Sequence, residues 1–239
     1  MKKINIEELV IFENNHYIVC VKPEGVLSQE DATHDADMVN LLKEYLKNKY
    51  SKVGNVYLGL VHRLDRRVSG VMVFGKTTKG SSRLSESIRN KTFKKTYFAI
   101  ATGLIKKSGV LSNKLDKVYE DKYIAKESID GKDCILEYTS LCNFKIDNKD
   151  FTLLKINLLT GRFNQIRMQF SLINHPLIND FKYGYNGKNY NDHLGLFCVS
   201  LAFPDPVTKE IKEYKIDPKF LPFKEYINYE EYLWELEKM

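Results

Sequence analysis

Between two apolar runs, the stretch Tyr57–Lys76 (YLGLVHRLDRRVSGVMVFGK) holds a dense polar segment, His62 to Gly70. Its one carboxylate, Asp65, has Arg63 two residues before it and Arg66 and Arg67 directly after it. Neighbouring guanidinium groups favour the ionised carboxyl, so Asp65 is suited to act as a nucleophile or a base at neutral pH. Loops delivered by apolar strands commonly carry active-site groups. Ser69-Gly70 permits a sharp turn into the following strand. The same residues would also suit a structural ion-pair loop, and local chemistry alone does not choose between the two.

Other chemistries find less support. There is no Gly-rich dinucleotide fingerprint and no GK[ST] phosphate loop. The four cysteines (Cys20, Cys134, Cys142 and Cys198) are scattered without a CxxC pair or a Cys/His cluster, so neither a metal nor another cofactor is expected. They read as reduced, mostly buried small hydrophobes of a cytoplasmic protein. The amino terminus places acids before any useful apolar run and is not a signal peptide, and no stretch is long enough to span a bilayer. A net charge of +6 suits an anionic partner but does not identify one. More local is a basic run of Lys76, Lys79, Arg83, Arg89, Lys91, Lys94 and Lys95, opposed only by Glu86. Such a run is either a solvated face or a phosphate-binding one.

The elements that must position Asp65 are mainly strands. Tyr17–Lys22, Gly70–Gly75, Thr96–Ala101, Cys134–Leu141, Phe151–Leu159 and Leu196–Leu201 are rich in Val, Ile, Tyr and Phe. Helical spacing predicts a helix over Asp37–Asn48 with Val39, Leu42 and Leu46 on one face, and another over Thr78–Asn90. It predicts two more over Arg162–Ile173 and Leu221–Leu236. Lys106–Asp133 and Tyr185–His193 read as variable loops. Strands outnumber helices without alternating with them, which favours an α+β fold with a mixed or antiparallel sheet. No linker divides the 239 residues, so residues 1–239 are expected to form one domain of two packed halves.

HRLDRRVSG resembles the HRLDxxTSG signature of RluA-type RNA pseudouridine synthases, with Val68 at the usual Thr. Three further blocks follow in the family's order. YIVCVKPEGVLS (17–28) is similar to the KPxG block, and KKTYFA (94–99) to the K-x-Y-x-A block. TGRFNQIRMQFSLINHPLINDFKYG (160–184) is similar to GRTHQIR followed by HPxxGDxxYG. Within the last block Phe163-Asn164 replace Thr-His, and Asn179 replaces a Gly. The four blocks together span most of residues 17–184.

The resemblance implies the pseudouridine synthase fold, a mostly antiparallel sheet in two halves with a central active-site cleft. It also implies isomerisation of uridines in ribosomal or transfer RNA without a cofactor, and a cytoplasmic monomer is the default expectation. Asp65 is then the nucleophile, paired with Arg167, and Tyr97 stacks on the flipped uracil. Arg63 fills the gap the uridine leaves. Leu64 and Ile166 form apolar walls, and His62, Arg162 and Lys76 complete the substrate-binding set. The alternative is a catalytically silent RNA-binding protein of the same fold.

Overall fold

Most of the apolar runs are strands in the computed structural model, which describes residues 4–106 and 108–235. In chain order the elements are α1 (Ile6–Leu9), β1 (Val10–Glu13), β2 (Tyr17–Lys22), α2 (Met38–Lys49), β3 (Gly59–Leu60), β4 (Ser69–Gly75) and α3 (Thr78–Arg89). They continue with β5 (Lys94–Thr102), β6 (Ser108–Glu120), β7 (Lys122–Glu127), β8 (Lys132–Ile146), β9 (Lys149–Leu158) and α4 (Gln165–Leu172). The last are β10 (Leu196–Pro204), β11 (Ile211–Lys215) and α5 (Tyr229–Glu235). The chain divides into two compact units, Met1–Lys94 with Cys198–Phe220, and Lys95–Phe197 with Leu221–Met239. Each is therefore assembled from two separate stretches of sequence.

In the first unit β2 pairs antiparallel with β1 and β4, and β10 with β11. Both β2 and β4 are buried along their whole length, which is why they read as continuous apolar runs instead of alternating ones. Val71, Met72, Val73 and Phe74 are wholly removed from solvent, each such burial stabilising by about 1.5–3 kcal/mol. The β2–β4 register sets Lys22 opposite Gly70, so the end of one strand meets the start of the next where the Asp65 loop closes. Asp37 caps α2 by accepting from Asn40 N–H, and Thr77 caps α3 by accepting from Gly80 N–H. The buried face of α2 is Met38, Leu42 and Leu46, with Met38 taking the position expected of Val39.

In the second unit β5, β9, β8, β6 and β7 follow one another in antiparallel ladders. The segment expected as a variable loop, Lys106–Asp133, is largely the β6–β7 hairpin. Its charged residues hide the period-two pattern from a reading based on apolar runs. The terminal helix is shorter than expected. Only Tyr229–Glu235 is helical, and Leu236 lies outside the described residues. The whole is an α+β fold, as the excess of strands implied. No described helix is long and apolar enough to cross a membrane.

Candidate active site

Asp65 sits half-buried at the head of a turn in which Val68 N–H donates to Asp65 O at 3.0 Å. Backbone bonds hold this turn from both sides. Ser28 Oγ donates to Leu64 O at 2.8 Å and accepts Leu64 N–H at 3.0 Å. Gly25 N–H donates to Arg66 O at 2.9 Å. Gly70 closes the loop at φ +132°, and a Cβ there would stand 2.3 Å from the Cys198 carbonyl oxygen. The position thus requires glycine both for its backbone angle and for the strand packed against it.

Beneath the loop lies Lys22, whose side chain has no exposed surface. Its Nζ donates to Pro23 O at 2.9 Å, Val26 O at 2.7 Å and Arg66 O at 3.1 Å, so the three N–H bonds of an ammonium each meet a carbonyl. One cation therefore ties the KPEGV segment to the residue after Asp65. Burial pushes Lys22 down to about 7, while the charges of Glu24 and Asp65 pull the other way and Arg66 adds to the drop.

A pH dependence follows. The native chain releases this proton near pH 7, whereas the unfolded chain keeps it up to the ordinary value of 10.5. Between those values the unfolded state binds more protons, so this residue makes stability rise with pH across that window. Relative to Lys22→Met, wild-type stability in urea should climb as pH is raised from about 7 towards 10. A constant difference between the two proteins would show that the carbonyls keep the ammonium charged throughout.

The arginines around Asp65 do not simply surround it. Arg66 Nη1 pairs with Asp35 at 2.7 Å and its Nε donates to Gly25 O, while Arg67 Nε pairs with Glu24 at 3.3 Å. Arg63 is exposed and Leu64 buried. His62 is buried, with Nε2 accepting Val73 N–H at 3.2 Å and its ring beside Phe93, and it thereby supports β4. The Lys76 side chain is only 9% exposed and pairs with Glu13. Burial alone would raise the Glu13 carboxyl, but hydrogen bonds from Lys49, Lys76 and Tyr50 hold it at about 2. In the basic run, Arg83 Nη1 is likewise engaged, donating to Pro206 O.

In the second unit Tyr97 is buried on β5, opposite Ile156 of β9. Arg167 projects from α4 and forms a two-pronged pair with Asp180, Nε to Oδ2 at 2.8 Å and Nη2 to Oδ1 at 2.6 Å. Asp180, to which no role was assigned from the sequence, is wholly buried. Ile166 is buried and Arg162 exposed. Two of the departures from the family pattern have a backbone explanation. Asn164 and Asn179 lie at φ +48° and +61°, in the left-handed region that asparagine tolerates better than most residues. Asn164 Nδ2 donates to Tyr183 Oη at 2.8 Å, and Asn179 Nδ2 donates to Tyr190 O and His193 O, both at 2.6 Å. Among the described residues no group of three or more His, Cys, Asp or Glu is placed to hold a metal ion.

The signature loop around Asp65 and the α+β fold point to a class that comparison with known proteins specifies. Residues 16–172 match the family described as RNA pseudouridylate synthase, and the chain belongs to that family. A protein of Aquifex aeolicus named as an uncharacterized RNA pseudouridine synthase is 30% identical over 230 residues, covering 91% of this chain and 71% of its own length. Ribosomal large subunit pseudouridine synthase C of Buchnera aphidicola is 32% identical over 192 residues, covering 78% of this chain. The corresponding synthase D of Borreliella burgdorferi is 30% identical over 189 residues, covering 77%. The chain spans 57% of the length of each of these last two relatives. Human RNA pseudouridylate synthase domain containing 1 shares the fold, with a TM-score of 0.73 at 18% identity over 93% of this chain and 88% of that one.

Proposed function

We propose that this chain converts uridines of ribosomal RNA to pseudouridine in the cytoplasm, with Asp65 as the nucleophile. The observation that carries the reading is the Asp65 turn, which keeps the family's signature and holds a half-exposed carboxylate on a backbone fixed by Ser28, Gly25 and Lys22. Ribosomal RNA is favoured over transfer RNA because relatives at about 30% identity carry ribosomal names.

In the proposed reaction the glycosidic bond breaks, the base turns, and a carbon–carbon bond replaces it. A carboxylate suits this chemistry because it can attack covalently or stabilise positive charge as the base departs. Tyr97 stacks on the uracil and helps move the proton from its carbon 5, and Arg167 supplies the cation that steadies the Asp65 carboxylate. Arg63 fills the vacated place in the RNA, Leu64 and Ile166 wall the base, and Arg162 meets phosphate. Retention of Asp65, Tyr97 and Arg167 together argues against a silent binding protein. The test is a map of pseudouridines in total RNA from cells with and without the chain. Loss of one or more ribosomal sites is expected. Loss confined to transfer RNA would overturn the substrate, and an unchanged map would overturn the activity.

A further inference from the structure

The β6–β7 hairpin carries its aromatic residues on one face. In its register Tyr119 pairs with Tyr123 and Lys117 with Ala125, so these side chains share a side, while Asp116, Glu120, Lys122 and Lys126 lie on the other. Tyr119 and Tyr123 are 68% and 52% exposed, with ring centroids 5.1 Å apart. Lys117 Nζ lies 3.8 Å from the Tyr123 ring centroid and 5.0 Å from that of Phe163, a residue that departs from the family pattern. Lys182 Nζ lies 5.2 Å from the Phe163 centroid and 5.5 Å from that of Tyr183. Aromatic rings and lysines thus alternate from the hairpin tip to the segment preceding α4. The far end of this row is Arg167, whose guanidinium lies 5.0 Å from the Tyr183 ring.

The row is held in place from behind. Ala125 N–H and Asn164 Nδ2 both donate to Tyr183 Oη at 2.8 Å, and Lys182 Nζ donates to Tyr123 O at 2.6 Å. Of the acids, Glu127 shares the face but accepts from Asn113, and Asp121 sits at the turn. The charge that accompanies the aromatic rings is therefore positive.

We infer that this row is a binding track for a single-stranded segment of the substrate RNA, in which Phe163 and Tyr123 stack on unpaired bases and Lys117 and Lys182 meet the phosphates. Rings offer every base a stacking face, and lysines answer a phosphate backbone without reading sequence. A duplex keeps its bases paired and offers no such faces along its length. The inference rests on the RNA-modifying function proposed above and adds where the strand runs on the second unit.

The test measures binding of a short labelled single-stranded RNA, and of the same sequence as a duplex, to the full chain by fluorescence anisotropy. Phe163→Ala should weaken single-strand binding roughly 5- to 150-fold, as loss of a base–aromatic stack does, and Phe163→Trp should preserve it. Changing Lys117 and Lys182 together to Ala should flatten the salt dependence by about 0.7 per lost phosphate contact. A 5-iodouridine in the bound RNA should crosslink to Phe163 or Tyr123. Unchanged affinity in Phe163→Ala, or equal losses for duplex and single strand, would overturn the track. So would a fall in thermal stability with both Phe163 variants, since the ring would then only prop the hairpin. Pseudouridine formation by wild type is scored separately. Phe163-dependent binding without it would sink the proposed activity while the track stands, and activity with Phe163-independent binding would do the reverse.

Discussion

Asp65→Asn should form no measurable pseudouridine while still binding RNA. Asparagine has nearly the shape of aspartate, but its amide is uncharged and a poor nucleophile, so the substitution removes the chemistry and leaves the volume. The backbone around it has supports besides the carboxylate. Leu64 is held through both its N–H and its carbonyl by Ser28, and Arg66 O receives Lys22 Nζ and Gly25 N–H. Loss of the attacking group in enzymes whose residues act as a unit lowers turnover by about 10⁴-fold or more. Release of tritium from uridine labelled at carbon 5 measures that loss directly, and a gel-shift titration measures binding. Turnover near the wild-type rate would remove Asp65 from the mechanism. Lost binding with intact folding would instead make Asp65 a contact to RNA. Because the Asp65 charge helps keep Lys22 protonated, the substitution should also lower the Lys22 pKa further, a shift visible in the nitrogen-15 resonance of its amine.

The parts of this site legible in the sequence are those that chain neighbours define. The Asp65 turn, the strands that flank it and the Arg167 segment could be read because each lies within a contiguous block. Lys22 shows the limit. It ends an apolar run, where a lysine ordinarily reaches solvent, and nothing in the period of β2 reveals that three carbonyls enclose it. Arg66 and Arg67 show a related limit. Adjacency in sequence places their charges beside Asp65, but it does not reveal the pairs they make with Asp35 and Glu24. The β6–β7 hairpin was hidden because both of its faces carry charge, leaving no apolar alternation to follow. Asp180, by contrast, was available to reading. It lies 13 residues beyond Arg167 in the same block, and a buried guanidinium needs a carboxylate nearby.

That need makes Asp180→Asn the substitution with the largest expected effect on stability. Arg167 is 6% exposed and Asp180 fully buried, and two short charge-assisted bonds join them. Asparagine can accept one of these bonds, but its NH₂ would face an arginine N–H, and the buried cation would lose the charge of Asp180. Breaking a buried pair in this way costs about 3–5 kcal/mol, which in a chain of this size lowers the melting temperature on the order of 10 °C. Arg167→Met should also destabilise the protein, by stranding the carboxylate. Combining Asp180→Asn with Arg167→Met removes both charges of the fork, so the double variant should recover much of the stability that either single change loses. Turnover should not follow. If Arg167 serves the reaction as well as the fold, both variants lacking it stay inactive even where stability returns, whereas activity restored with stability would reduce Arg167 to a structural residue. A wild-type melting temperature for Asp180→Asn would show that the fork contributes nothing to folding, and the order it imposes on the guanidinium would then have to come from α4 alone.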